Sequence, residues 1–460
     1  MQQVDKIKEY KDLVCSQIRW KRAHYPVSKE LENHILDQRD VFLGDGDDEE
    51  TATIKAIKEM GDPILVGTQF DHAYQPKSQT GMILLTVSLL VLSLLIHLFI
   101  LNDKDYPFNL PKQVLATGIG LLGMFIIYYK DVTFIGRYPK LIYSMAIVLS
   151  ILLLFFSIEI NGQPYFAFFI SFSGTYLTLI YPLALVGIIY LMKRKGYFGL
   201  ILTFLTYISL LLVSLKVSSM GGVFMFALTG ILLITIAIHK NIYGIKRIVA
   251  YIITYLSIIL VSMSLFIGNT YYLSRIKLAL DPSIESSGRG YLSILTSELL
   301  RNSKLVGRGT LPEQFQSSSF PMPNIDTDYL LTYLIFNIGW IAFYVIVGLL
   351  ALFIIKGFIL CRKQKSILGT LVSTAIVLTL SCEILFYIMW NLGFQLISPI
   401  SLPLISYGNV ATIINLLLIG IMFSIFRNGH IINDNELMHN RGRFISYHNG
   451  RLIIDFYNKL

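Results

Sequence analysis

One long stretch concentrates the groups able to do chemistry. From Ser274 the chain reads SRIKLALDPSIESSGRGYLSILTSELLRNSKLVGRGTLPEQFQSSSFPMPNIDTDYLLTYLIFNIGW. Its cations are Arg275, Lys277, Arg289, Arg301, Lys304 and Arg308. Such groups suit a polyanionic headgroup, for example a lipid pyrophosphate, through charge-assisted hydrogen bonds. Its glycines allow backbone to approach a ligand closely. Asp326 and Asp328 close the stretch, just ahead of an apolar run. A carboxylate there suits a general base acting on a sugar hydroxyl. Thr327 and Asp328 are also good N-caps for the helix that the apolar run implies. The residue types alone leave both roles open.

The elements that hold this stretch are read from composition and hydropathy. Of 460 residues, 54% are hydrophobic and 15% charged, where a soluble domain carries about 25% charged residues. With a mean hydropathy of +0.62, the chain is expected to be an all-α polytopic membrane protein. A span needs roughly twenty apolar residues. Runs near 81–101, 112–129, 140–158, 172–192, 198–215, 220–238, 248–268, 328–355, 367–390 and 407–426 meet that need, giving about ten transmembrane helices. The first apolar run begins too late to be a removed leader.

Loop charges set an orientation. Lys130, Arg137 and Lys140, then Lys193, Arg194 and Lys195, then Lys240, Lys246 and Arg247, then Lys356, Arg362, Lys363 and Lys365 fall in alternate loops. The intervening short loops hold only Lys104, Lys112 and Lys216. Cytoplasmic loops collect Lys and Arg, so both termini are expected inside and residues 269–327 outside. The net charge of +9 is thus explained by short loops. No basic patch interleaved with aromatics occurs, so nucleic acid is not an expected partner. Cys15, Cys361 and Cys382 lie outside the 269–327 stretch and form neither a disulfide framework nor a zinc spacing.

Residues 1–75 read as a small cytoplasmic helical domain. Three helices are expected, with Ser28 as N-cap of the second and a stop at Gly61-Asp62-Pro63. The polar tail, 428–460, carries Asn449-Gly450 between two β-prone stretches, a hairpin signal. Within the ninth span, Glu383 is a costly intramembrane carboxylate that suits a polar cavity or a structural pair. His97 in the first span reads as a helix-packing residue.

Two segments together resemble a known family. The first is the 269–327 stretch, with Gly290-Tyr291, Thr296-Ser297, Gly307-Arg308-Gly309 and MPNIDTDYLL. The second carries Asn391, Gly393, Leu402-Pro403-Leu404-Ile405-Ser406-Tyr407-Gly408, Asn415 and Gly420. They are similar to the SEDS family (FtsW, RodA, SpoVE), whose pattern has LPExxTDFIF and a later LPLPFISYGGS. The resemblance covers residues 81–427, with a divergent pattern: Asn324 stands for the Glu of LPE, Asp326 for a frequent His, and Asn409 for the second Gly of ISYGG. The front domain resembles the prefix domain of some bacterial permeases.

The resemblance implies a bacterial peptidoglycan glycosyltransferase that polymerises lipid II on the outer face, in cell shape, division or sporulation. It implies Asp328 as the essential carboxylate, and Arg275, Lys304, Thr327, Ser406 and Tyr407 as substrate-binding residues. A class B penicillin-binding protein is the implied partner and membrane lipid the surroundings. No cofactor is implied with certainty, and a divalent metal stays open. A lipid-linked precursor flippase and a non-catalytic regulator of a wall synthase are the alternatives.

Overall fold

The structure is a computed structural model. It describes all residues except 1, 77–78, 102–109, 131, 161–162, 168–170, 267–269, 287, 289, 312–320, 430–433, 435–444, 449–450 and 455–460. Side chains are also not described at 2–5, 159–160, 163–164, 167, 171, 260–266, 270–273, 275, 445–448 and 451–454. The chain divides into two compact units, Met1–Ser78 with Arg427–Asn433, and Gln79–Phe426 with Asp434–Leu460.

The first unit is built from α1 (Gln2–Ser16), α2 (His24–Gly44), α3 (Glu49–Glu59) and α4 (Pro63–Tyr74). Val14, Ile18, Val27, Leu31, Ile35 and Ala56 form its core. Asp48 caps α3 by accepting the Thr51 N–H at 3.2 Å. Two expectations are corrected. Helix α2 starts at His24 and holds Pro26 in its first turn, where a missing N–H removes no intrahelical bond. Ser28 therefore lies inside the helix rather than at its cap. Gly61-Asp62-Pro63 does more than stop α3. Asp62 accepts the Ile64 N–H at 3.1 Å, and Pro63 takes the first position of α4. The unit has four helices rather than three.

The second unit begins with α5 (Thr80–Leu101), α6 (Leu110–Tyr129), α7 (Phe134–Arg137) and α8 (Pro139–Phe156). A three-stranded antiparallel sheet follows, in the order β1 (Ile158–Ile160), β2 (Gln163–Ala167), β3 (Ser171–Ser173). Then come α9 (Tyr181–Leu191), α10 (Gly196–Val217), α11 (Met220–His239), α12 (Arg247–Phe266), α13 (Thr270–Leu280) and α14 (Tyr291–Arg301). The last helices are α15 (Leu330–Asn337), α16 (Trp340–Arg362), α17 (Ile367–Asn391) and α18 (Asn409–Asn428). Strands β4 (Ile445–His448) and β5 (Arg451–Ile454) pair antiparallel with His448 opposite Arg451, which is the expected hairpin.

Among the described residues, nine helical stretches are long and apolar enough to cross a membrane: α5, α6, α8, Gly174–Leu191, α10, α11, α16, α17 and α18. Helix α12 lies where the remaining span is expected and runs for 20 residues. The chain is a multi-pass, all-α membrane protein. Helix α17 is central, packing on α9, α11 and α16, and most of its length is buried.

The eighth span differs from expectation. The apolar run from 328 to 355 is two helices, the short buried α15 and the long α16. Gly339 separates them at φ +112°, and a Cβ there would lie 2.8 Å from the Val306 Cα. Every residue from Leu330 to Phe336 is buried, so α15 is apolar on all sides. That composition is indistinguishable from a lipid-facing span.

Gly339→Ala is expected to lower the thermal unfolding midpoint of detergent-solubilised protein, corresponding to a loss of about 1–3 kcal/mol. Gly348→Ala on α16 is the control, because a Cβ there meets nothing within 4 Å; it should leave the midpoint unchanged or slightly higher.

Candidate active site

The segment ahead of α15 is set by a tight turn. Asn324 adopts φ +50°, a region that asparagine tolerates better than most residues. Its carbonyl accepts the N–H groups of Thr327 at 3.2 Å and Tyr329 at 3.1 Å. The Thr327 hydroxyl donates to the same carbonyl at 3.4 Å. This turn places Asp326, Thr327 and Asp328 together at the start of the helix.

Neither Thr327 nor Asp328 caps α15. The cap position is Tyr329, which makes no side-chain cap bond. The orphan donors are taken by two side chains of α17. The Tyr387 hydroxyl accepts the Leu330 N–H at 3.2 Å and donates to the Thr327 carbonyl. Asn391 accepts the Thr332 N–H through Oδ1 at 3.0 Å and donates through Nδ2 to the Asp328 carbonyl at 2.9 Å. The cap reading of Thr327 and Asp328 is thus corrected. With α17 satisfying the helix end, the Asp328 carboxylate is left off backbone duty.

That carboxylate accepts the Asn324 side-chain amide at 3.4 Å. Burial pushes its pKa up from the ordinary value to about 6. The Asn324 hydrogen bond opposes this, and the like charge of Asp326 adds to it. Asp326 is also raised, again chiefly by burial. Among the described residues neither carboxylate is in an ion pair. A half-buried carboxylate with a pKa near 6 matches a proton acceptor working near neutral pH.

The 401–408 segment closes one side. The Tyr407 N–H donates to the Asp326 carbonyl at 2.9 Å. The Ser406 hydroxyl accepts the Leu402 N–H at 2.8 Å, and the Ser406 N–H donates to the Leu402 carbonyl at 3.0 Å. Ser406 thereby folds the turn that presents Tyr407. From α5, Ser93 donates to the Ile405 carbonyl at 2.8 Å, and the His97 ring stands edge-on to Tyr407 at 6.3 Å. Helix α14 docks on the end of α17 through Ser293 to the Gly393 carbonyl at 2.7 Å and Gln395 to Thr296 at 3.2 Å. The two sequence segments that carry the resemblance are therefore in contact.

The structure brings Thr327, Asp328, Ser406 and Tyr407 together. It does not bring Lys304 to them. Lys304 and Arg308 are exposed and lie by the far end of α15, about 12 Å along the helix at 1.5 Å per residue. Gly307 and Gly309 approach backbone rather than an open ligand space. Their N–H groups donate to the carbonyls of Ile338 and Phe336, each at 2.7 Å. The carbonyls of Lys304 and Leu305 accept the N–H groups of Trp340 and Ile341, each at 3.1 Å. Arg275 belongs to α13, and its side chain lies outside the described residues. Among the described residues no three His, Cys, Asp or Glu side chains converge, so Asp326 and Asp328 stand as a pair. Sequence reasoning missed Tyr387. The available signal was its spacing of four from Asn391, which puts two polar groups on one face of an otherwise apolar helix.

A multi-pass helical unit with a half-buried carboxylate pair at the start of a short internal helix defines the class. The sequence model of the FtsW/RodA/SpoVE family, described as a cell cycle protein, matches residues 78–430. The chain belongs to this family. It is 24% identical over 170 residues to the peptidoglycan glycosyltransferase MrdB of Escherichia coli (strain K12), covering 37% of this chain and 46% of that one. It is 23% identical over 172 residues to the stage V sporulation protein E of Bacillus subtilis (strain 168), covering 36% of this chain and 46% of that one. The chain thus spans about half the length of these relatives. In fold it is similar to a chain of the structure titled "Structural coordination of polymerization and crosslinking by a peptidoglycan synthase complex", with TM-score 0.61, 17% identity, and coverage of 76% of this chain and 98% of that one. It is also similar to the rod shape determining protein RodA of Thermus thermophilus, with TM-score 0.54, 17% identity, and coverage of 76% and 97%.

Two variants separate the parts of this geometry. Tyr387→Phe removes a partner from the Leu330 N–H and a donor from the Thr327 carbonyl, and is expected to cost about 1–3 kcal/mol in denaturant or thermal unfolding. Asp328→Asn is expected to stabilise the protein. Burial raises the Asp328 pKa in the folded state from 3.8 to about 6, so the ionised folded form is penalised above that pH and the penalty fades as pH falls. The gain, up to about 3 kcal/mol, should be present at pH 8 and shrink as pH falls through about 6.

Proposed function

We propose that this protein is a peptidoglycan glycosyltransferase that polymerises lipid II at the outer face of a bacterial cell membrane, with both termini in the cytoplasm. The observation that carries the reading is the Asp328 carboxylate, half-buried, freed from capping by Tyr387 and Asn391, and holding a pKa near 6. In this reading an acceptor sugar hydroxyl attacks the anomeric carbon of the donor. Asp328 takes the hydroxyl proton as the new carbon–oxygen bond forms. The bond from the anomeric carbon to the lipid pyrophosphate breaks, and the pyrophosphate leaves with the electron pair. Thr327 and Tyr407 line the acceptor side, and Ser406 holds Tyr407 in place. Arg275 neutralises the departing pyrophosphate, and Lys304 meets anionic groups farther along the loop. A class B penicillin-binding protein is the fitting partner, since the new glycan strand needs crosslinking. The front unit serves docking or regulation.

The test is polymerisation of fluorescent lipid II by purified full-length protein. Asp328→Ala is expected to lower the rate by about 10²–10⁴-fold. The wild-type rate should rise with pH to a plateau with a midpoint near 6, because only the ionised carboxylate accepts a proton. Wild-type polymerisation by Asp328→Ala would sink the assignment. Lipid II translocation into vesicles with no glycan product would make the chain a flippase instead.

A further inference from the structure

Glu383 takes no part in the site just described. It lies on α17, 1% exposed, inside the membrane-spanning unit. Its Oε1 accepts the Ser401 hydroxyl at 3.1 Å. Its Oε2 has no hydrogen-bond partner. Asn415 of α18, also 1% exposed, brings its side-chain amide up to the same carboxyl group, short of full hydrogen-bond geometry. Among the described residues no Lys or Arg pairs with Glu383. Three polar groups from three separate elements thus converge in an apolar interior and leave Glu383 Oε2 and Asn415 Oδ1 unused. Buried polar groups are almost always satisfied, and a buried charge is tolerated only when it is paired.

We propose that Glu383, Ser401 and Asn415 form a buried binding site for a monovalent alkali cation, sodium or potassium. Carboxylate, hydroxyl and amide oxygens are hard donors suited to such ions. One carboxylate and one unit of positive charge sum to zero, the arrangement that costs least to bury. A divalent ion would leave a net positive charge and calls for more carboxylates than converge here. Asn415 turns its Oδ1 toward the ion, which its unbonded amide leaves it free to do. The site reaches the carboxylate pair through one short segment. Ser401 is followed by Leu402, which opens the turn that Ser406 closes, and the Tyr407 N–H then donates to the Asp326 carbonyl. The bound cation therefore braces the 401–408 segment, whatever reaction the protein performs.

The experiment compares thermal unfolding of full-length protein in detergent in sodium chloride, potassium chloride and N-methylglucamine chloride at equal ionic strength. Wild type is expected to show a saturable rise in midpoint with sodium or potassium over N-methylglucamine. The rise should vanish in Glu383→Gln and weaken in Ser401→Ala. Equilibrium binding of radioactive sodium, or of rubidium standing for potassium, should reach about one ion per chain by the charge balance above, and be lost in Glu383→Gln. Equal midpoints in all three salts would overturn the proposal. So would a cation response retained in Glu383→Gln, or a midpoint that follows pH alone, which would make Glu383 a protonated structural group. Should Glu383→Gln fail to fold, wild-type ion binding and its weakening in Ser401→Ala decide. None of these readouts needs glycosyltransferase activity.

Discussion

Helix α15 is packed within the protein, and the N–H and C=O groups at its ends need partners there. Its eight residues are too few to cross a membrane, and all but Asn337 are buried. Every orphan donor and acceptor at its ends must find a partner within the protein. At the start, α17 supplies the Tyr387 hydroxyl and the Asn391 amide. At the finish, the backbone of 304–309 knits to 336–341 through four hydrogen bonds. The glycines at 307, 309 and 339 belong to this second solution. They let two backbones come close enough to bond.

The geometry of the carboxylates follows from the first solution. A helix that could cap itself would use the side chain of Thr327 or Asp328, and the carboxylate would be spent on an N–H. Because α17 does the capping from the side, it grips the main chain of Thr327 and Asp328 instead. The side chain of Asp328 is then fixed by its own backbone but chemically free. Its company is Asn324, Asp326 and burial, and burial dominates. A carboxylate with its pKa raised to about 6 is the outcome of packing a helix end without using the obvious cap.

Much of the fold was legible in the sequence, because a membrane span is announced by its length and composition. The hairpin at the tail was legible for a local reason, its Asn-Gly pair between two β-prone stretches. Helix α15 was not, since a helix buried in protein and one facing lipid have the same apolar surface, and one glycine between them carries little weight in a hydropathy window. Helix α4 was hidden because Asp-Pro after a glycine reads first as a stop, although it is equally a start. At the site, family resemblance pointed to Asp328 and to Ser406 and Tyr407, and the fold places the two segments in contact. Lys304 drew notice for its charge, and the fold also uses its carbonyl, which accepts the Trp340 N–H. Tyr387 was hidden because its importance lies in a contact 57 residues away along the chain.

The departures from the family pattern around Asp328 make physical sense as a set. The pattern has Glu where this chain has Asn324, and frequently His where it has Asp326. Asn324 stands at φ +50°, where asparagine is favoured over a longer side chain. Its amide donates to Asp328, which a glutamate could not do without first taking up a proton. The second negative charge has moved two residues along, to Asp326, whose carbonyl is held by Tyr407. The segment therefore keeps two carboxylates while exchanging which one is fixed beside Asp328. The exchange replaces repulsion from position 324 with a hydrogen bond, and leaves burial and Asp326 to hold the Asp328 proton affinity high.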